Sequence, residues 1–570
     1  MEFLALEDSK LTIASLSEQI IADPYSAVNK DKEHERSFSK IRQLHEFLRS
    51  DINDVVLMAI LSMVAVFQDI IPDYRIRLPT QHELNDKRVS KDVRKERTFE
   101  ANLLSAYQSF LKFLNTKIET AKSLQDDRQQ RQLSATCIIG MCELLKSRYN
   151  FNFRSNLLTV VVKATNSSNQ QVRASANSAV QHIFRSDKQG EVSLETVRGM
   201  CKMIKDRNEK CHPDVISSFL HLPLRIHLDE AEAVKIHAQM AAKKRKKDRK
   251  KMGSEKTDIE RSLENDMKEG SSSIDKIVLA RAQADTLHAV SVTYFRFLKS
   301  EQITENTEEG GVLSVVLEGL AKIAHLINID TVTDLLQHLK ALMNRGGDCH
   351  TLDLGASLNC VLTAFQTLQG PGKELMIDEK DYVVHLYRQL QRLAGDPSGR
   401  HVGTCLLCLE AAFLKRREPS KVRCAAFVKL ISAVALHLRP GASVPLIAFS
   451  RALLHRYQGV QQLLDNEEDV VGDGKYTLDV ADPELSNPFS TSLWELATLR
   501  FSYNPNVALH ADNGATFKRL ALPRESPGRL MNKICTAEED FKHPIKKPRR
   551  HRFDKEVQRN KRAEKFITKR

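Results

Sequence analysis

Three groups of residues in this chain have types and spacings that metal or phosphate chemistry uses. Cys405 and Cys408 form a C-x-x-C pair, with Cys424 sixteen residues later. A zinc site needs a second Cys or His pair at matching spacing, and none follows. The surrounding run HVGTCLLCLEAAFLKR is apolar, so these thiols read as core cysteines. Cys211 and His212 are a single adjacent pair in a turn and read the same way. GPGKE (Gly370 to Glu374) and GDGKY (Gly472 to Tyr476) look like phosphate loops. Both lack the G-x-x-x-x-G-K-[ST] spacing and a feeding strand, so both are expected to be turns. No nucleophile–base order, paired-carboxylate motif or H-E-x-x-H helix occurs. The residues imply no catalytic group, no metal and no cofactor, and the chain is read as a non-enzyme.

What remains is cationic chemistry. The formal charge is +13, and it is concentrated. The run Lys243, Lys244, Arg245, Lys246, Lys247, Asp248, Arg249, Lys250, Lys251 carries net +7. The tail from Phe541 to Arg570, which includes Lys546, Lys547, Arg549, Arg550 and Arg552, carries net +10. The rest of the chain holds 65 basic against 69 acidic residues and is nearly neutral. Discrete basic arms on a neutral body suit contact with nucleic-acid phosphates or a nuclear import signal. Such arms bind with strong salt dependence and little sequence information. A third basic stretch, Lys87, Arg88, Lys91, Arg94, Lys95 and Arg97, is a connector between two helical segments. It is read as facing a partner's acidic side chains or RNA phosphate.

The elements that position these groups are helical. With 22 glycines and 17 prolines in 570 residues, helix breakers are sparse. Aromatics make up 6% with one tryptophan, which disfavours a β-sandwich and a broad base-stacking surface. Ile41, Leu44 and Leu48 recur at helical spacing, Ser50 and Asp51 interrupt, and an apolar helix runs from about Asp54 to Asp69, with Pro72 beyond it. Another apolar helix is expected from about Phe99. Val55/Ala59/Met63/Phe67, Val172/Ala176/Val180/Phe184 and Val422/Ala426/Leu430/Val434 share a pattern in which alanine permits close helix approach. The polar turns INDV, NQQV and PSKV precede them, as in a HEAT-like repeat. The fold class is therefore all-α, a HEAT-like or armadillo-like α-solenoid in two halves. The expected division is a lead-in (1–37) with one weak helix, a helical-repeat domain (38–229), a basic helix dissolving into a disordered linker (230–273), a second helical domain (274–507) and a basic tail (508–570). The 13-residue apolar run Val55 to Phe67 falls short of the ~18 residues that suggest a membrane span. Scattered cysteines fit a reducing compartment, and a soluble, intracellular protein without membrane partners is expected.

Two stretches carry a resemblance. AVFQDIIPDYRIR followed by VSKDVRKERTFEANLLSAYQSFL, with Tyr74 and Arg75, resembles the N-terminal signature of the nucleolar complex-associated protein 3 family. LSNPFSTSLWELATLRFSYNPNVALHA resembles the end of the CCAAT-binding-factor domain of nucleolar complex proteins, with Trp494, Glu495, Leu496, Tyr503, Pro505 and Val507 as the matching residues. In the family the signature follows a long charged extension, whereas here it begins near residue 38.

The resemblance implies a nuclear and nucleolar assembly factor for the large (60S) ribosomal subunit. It would act in pre-rRNA processing and transport, with a nucleolar complex protein 2-like partner on early pre-60S particles. It also implies an alternative, a chromatin adaptor working with replication-licensing factors in replication initiation. The fold alone leaves a third reading, a generic helical-repeat carrier.

Overall fold

The structure is a computed structural model. It describes residues 2–28, 39–78, 90–123, 128–224, 276–300, 311–327, 329–344, 352–370, 372, 378–396, 398–415, 420–464, 474–515 and 526–535. Every regular element among the described residues is helical and none is a strand. The chain divides into two compact units, Met1–Asn306 with Gly310–Ile323, and Thr307–Glu309 with Ala324–Arg570.

The first unit contains α1 (Glu2–Ala22), α2 (Pro24–Val28), α3 (Lys40–Glu46) with a 3-10 turn Phe47–Arg49, and α4 (Asn53–Ile70). Next come α5 (Lys91–Ser123), α6 (Arg128–Ser147), α7 (Arg154–Ala164), α8 (Gln170–Ser186) and α9 (Glu191–Asp206). Then follow α10 (Pro213–Phe219), α11 (Lys276–Lys299) and α12 (Val312–Ile323). From α4 onward the packing alternates. α4, α6, α8, α10 and α12 pack in succession, α7, α9 and α11 pack in succession, and rungs such as α5–α6, α7–α8 and α11–α12 join the two rows. This two-row ladder is the solenoid expected from the alanine-centred repeats. Val55, Ala59, Met63 and Phe67 of α4 are at most 1% exposed, and Val172, Ala176, Val180 and Phe184 of α8 at most 2%. The polar turn before α8 acts as a cap: Asn169 Oδ1 accepts from the backbone N–H of Gln171 and Val172. Gly140 lets α6 approach α4, since a Cβ there would lie 2.9 Å from Val64 Cγ2.

Three expectations are revised. The lead-in is not a weak helix: α1 buries Ile13, Leu16 and Ile20, at helical spacing, and packs on α4. α4 reaches 18 residues, long and apolar enough to cross a membrane by length and composition alone. Here Val55, Val56, Ala59, Ile60, Met63, Val64, Val66, Phe67 and Ile70 are buried and the helix packs on α1 and α6, as a core helix does, while Leu61 is exposed. The third revision concerns the division into halves, expected at 230–273, whereas the compact units part after Ile323. α11 belongs with α9: Arg198 pairs with Asp285 at 3.1 Å and Cys201 Sγ donates to the Ala289 carbonyl at 3.6 Å. Gly190, at φ +76, keeps that approach open, since a Cβ would meet Leu279 and Ala282 at 3.2 and 3.3 Å. A change in composition along the chain marks a linker; it does not mark where packing stops. The 230–273 segment itself and the tail beyond 535 lie outside the described residues.

The second unit contains α13 (Ile329–Asn344), α14 (Leu354–Gln369), α15 (Lys380–Leu393) and α16 (Val402–Leu409), which ends in a π turn at Glu410–Leu414. α17 (Lys421–His437), α18 (Pro440–Arg456), α19 (Trp494–Leu499), α20 (Pro505–Ala515) and α21 (Pro527–Cys535) complete it. α14, α16, α18 and α20 pack in succession, as do α15, α17 and α19. Ala426, Leu430 and Val434 of the third repeat-like helix are at most 2% exposed, and Val422 is half-buried.

Candidate nucleic-acid interface

Two helices of the first unit are amphipathic in a way that leaves a cleft between them. α3 with its 3-10 turn buries Ile41, Leu44 and Leu48 and carries exposed Arg42 and Arg49 and half-buried His45 beside them. α5 buries Leu103, Tyr107, Phe110 and Leu114, while Arg94, Thr98, Asn102, Ser105 and Ser109 recur at steps of three and four on another face. These two polar faces, with Lys95, Tyr25 and Ser26, line an open cleft of about 1150 Å³ whose floor includes Val28, Ile41 and Met63. Arg42, Arg49, Arg94 and Lys95 are exposed cations in it, and none of the described residues lining it is acidic.

Two of the hydroxyls between the cations are placed as acceptors. The Thr98 hydroxyl donates to the Arg94 carbonyl at 2.8 Å and the Ser109 hydroxyl to the Ser105 carbonyl at 2.9 Å, so each oxygen is left with lone pairs only. His45 rests edge-on to Phe113, ring centroids 6.2 Å apart. Burial, then the charges of Arg49 and Arg42, hold its pKa below the usual imidazole range, and its Nε2 is buried without a hydrogen-bond partner. Tyr25, 43% exposed, stacks on Phe99 with centroids 5.6 Å apart and rings 25° from parallel. The arrangement can hold a polyanion: four cations for charge, acceptor oxygens for donors, and one aromatic face.

The basic connector is thus only partly what its sequence suggested. Lys91, Arg94, Lys95 and Arg97 are not in a loop ahead of a helix starting at Phe99; they form the opening turns of α5. Ser90 Oγ accepts the Val93 N–H at 3.3 Å, and Asp92 supplies an acid to the first turn, with Lys95 3.8 Å from it. Of the four, Arg94 and Lys95 line the cleft. Lys87 and Arg88 lie outside the described residues, as do Lys243 to Lys251 and Lys546 to Arg552. Tyr25, Arg42, His45 and Arg49 were missed. On α3 and its 3-10 turn, positions 42, 45 and 49 lie beside Ile41, Leu44 and Leu48 and not opposite them, so the apolar spacing marked no separate polar stripe.

Comparison with known proteins bears on both units. The model of the nucleolar complex-associated protein family matches residues 8–110, and that of the CBF/Mak21 family matches residues 357–511. The chain is 31% identical over 573 residues to the nucleolar complex protein 3 homolog of Mus musculus, covering 96% of this chain and 68% of that protein. The chain belongs to the nucleolar complex protein 3 family. It is 32% identical over 562 residues to the Danio rerio homolog (95% of this chain, 68% of that protein). To nucleolar complex-associated protein 3 of Arabidopsis thaliana it is 28% identical over 558 residues (89% and 63%). Family membership makes it a nuclear, nucleolar protein, and neither matching family is an enzyme family. Every residue lining the cleft, from Tyr25 to Ser109, falls within the first match.

Within those two matches the signature residues serve the fold. Tyr74, 55% exposed, donates its hydroxyl to Glu100 at 2.8 Å, which lifts its pKa to about 12 and ties the IIPDYRI loop to α5. The same loop is held by Arg148, on the Ile71 carbonyl and on Asp73, and by Asn152, whose amide bonds both backbone groups of Ile76 at 2.9 Å. Arg75 is exposed. In the second unit Glu495 is 2% exposed and pairs at 2.8 Å with Lys429, itself 1% exposed. Lys429 Nζ also donates to the Ser492 carbonyl and lies over the rings of Trp494 and Tyr476 at 5.4 and 5.6 Å. Pro505 opens α20, while Trp494 and Tyr503 are 54% and 73% exposed.

The cysteines lie in the core, and GPGKE and GDGKY fall partly outside the described residues. Cys405, Cys408 and Cys424 are fully buried; burial raises the thiol pKa of Cys405 and Cys424 to about 12 and that of Cys408 well above the usual range. His212 caps α10, accepting the Asp214 N–H. Among the described residues no group of three or more His, Cys, Asp or Glu side chains could hold a metal ion. Gly370 terminates α14, and Gly474, at φ +108, sits against Asn487.

Proposed function

We propose that this protein is a non-enzymatic assembly factor for the large ribosomal subunit, a helical scaffold that binds pre-ribosomal RNA in the nucleolus. In this reading it serves pre-rRNA processing and the intranuclear transport of pre-ribosomes, alongside a nucleolar complex protein 2-like partner. The observation that carries it is the cationic cleft, with no acid among the described residues that line it, lying within the family-matched residues 8–110 of a nucleolar protein. Solenoids present extended surfaces to large partners, and a positive surface between their helices suits a polyanion.

Affinity purification of the tagged protein from nuclei, with co-purifying RNA and proteins identified, tests it. Large-subunit pre-rRNA and its assembly proteins are expected, with the association lost after RNase treatment, and depletion is expected to delay large-subunit pre-rRNA processing. Retention abolished by DNase and unchanged by RNase would instead support a chromatin adaptor in replication initiation and overturn the ribosomal reading.

A further inference from the structure

We propose that the cleft between α2, α3 and α5 is a groove for single-stranded RNA, with its cations on phosphates and its acceptor oxygens on ribose 2′-hydroxyls. The inference rests on the RNA-scaffold reading above and assigns it a site. Arg42 and Arg49 on one wall face a polyanion together with Arg94 and Lys95 on the other, and no described lining residue is acidic. Bare anion binding needs only donors. Here the cations are interleaved with Thr98 and Ser109 oxygens whose protons are already committed to helix carbonyls. A ribose 2′-hydroxyl donates to such oxygens; a deoxyribose cannot, and the carboxylates of an acidic protein segment offer them only lone pairs. Tyr25 is half-exposed and steadied by Phe99 behind it, a support on which one unpaired base can stack. A base inside a duplex has no free face, so the single strand is the fitting form.

The test uses the purified full chain, fluorescent 12-mers of uridine and deoxyuridine, and a 12-mer of glutamate as competitor. Because the basic arms also bind phosphate, the site is read as the difference between variants and wild type. Each cation contributes about 0.7 to the log–log salt slope for a single strand. Arg94→Gln with Lys95→Gln is therefore expected to reduce the slope by about 1.4 and weaken binding about 25-fold at 0.1 M salt. Arg42→Gln with Arg49→Gln is expected to do the same. Thr98→Val with Ser109→Ala is expected to weaken uridine binding more than deoxyuridine binding and so to remove the preference for uridine. Photocrosslinking of 4-thiouridine-substituted RNA is expected to map to the peptide containing Tyr25 and to vanish in the four-cation variant. All four cations are exposed, so unchanged circular dichroism confirms that the variants fold. An unchanged slope with crosslinks elsewhere would overturn the assignment, even where pre-rRNA still co-purifies with the protein. So would equal affinity for both sugars, or displacement by oligoglutamate at matched charge, which would make the occupant an acidic protein segment.

Discussion

Replacing Lys429 by Met should unfold the second unit far more readily than its size suggests, and it should do so in a pH-dependent way. Lys429 and Glu495 are 1% and 2% exposed and lie 2.8 Å apart. Burial pushes the lysine pKa down and the glutamate pKa up, in each case outweighing the partner's opposing pull. The ion pair is held by the Ser492 carbonyl and two aromatic rings, which offset part of that burial cost. Deleting one partner of such a pair costs about 3–5 kcal/mol, because the other charge stays buried and unpaired. Divided by a urea dependence of about 3 kcal/mol per molar, that is a midpoint shift of roughly 1–1.7 M. The chain's single tryptophan, Trp494, lies 5.4 Å from the ammonium and reports the transition at this site by fluorescence. Without Lys429, protonation is the way left for Glu495 to shed its charge. A carboxyl with a raised folded-state pKa is stabilising below its unfolded pKa, and that contribution is lost as pH rises through the folded value. Lys429→Met is thus expected to lose more stability at pH 8 than at pH 5. Lys429→Met with Glu495→Leu, which replaces both charges by apolar groups, should recover most of the loss at both pH values. A single-variant cost under about 1 kcal/mol with no pH dependence would refute the reasoning.

Three further outcomes follow from buried groups. His385 is 7% exposed, and burial with the charges of Arg388 and Arg392 lowers its pKa to about 4. The unfolded chain then binds a proton below pH 6.5 that the folded chain refuses, so stability falls by up to about 3 kcal/mol as pH drops from 6.5 to 4. Thermal melts of His385→Gln should show a shallower acid limb, with His45 and His510, also held low by burial, supplying the remainder. At Gly319 of α12 an added Cβ would collide with the buried Tyr294 ring, so Gly319→Ala is expected to cost about 1–3 kcal/mol in a denaturant melt although alanine is the better helix former. The C-x-x-C pair is expected to resist iodoacetamide at pH 8 until denaturant is added, and to bring no zinc with the purified protein. One zinc per chain would contradict its reading as core.

The parts of this fold that were legible in sequence are those whose signal is local. Val55, Ala59, Met63 and Phe67 announce a buried helix face because a 3.6-residue period needs no partner to be visible. The family-specific wording around Tyr74 and Glu495 was also legible, but its physical meaning was not: Tyr74 matters through Glu100, and Glu495 through Lys429, 66 residues before it. Ion pairs between distant helices leave no periodic trace. The unit boundary was misplaced for a related reason, since α11 packs back on α9 across a long charged segment that composition reads as a division. The cleft shows the limit most clearly. Its basic residues on α5 read as a charged connector ahead of an apolar helix, because the apolar period starts only near Phe99 while the helix itself opens at Lys91. Arg42 and Arg49 were invisible as a cluster, being only two cations on a short helix chosen for its apolar face. They acquire meaning when α3 and α5 are set opposite each other, where Arg42 and Arg49 meet Arg94 and Lys95, which α5 presents at some electrostatic cost against its dipole. A sequence keeps such an arrangement when something anionic offsets that cost.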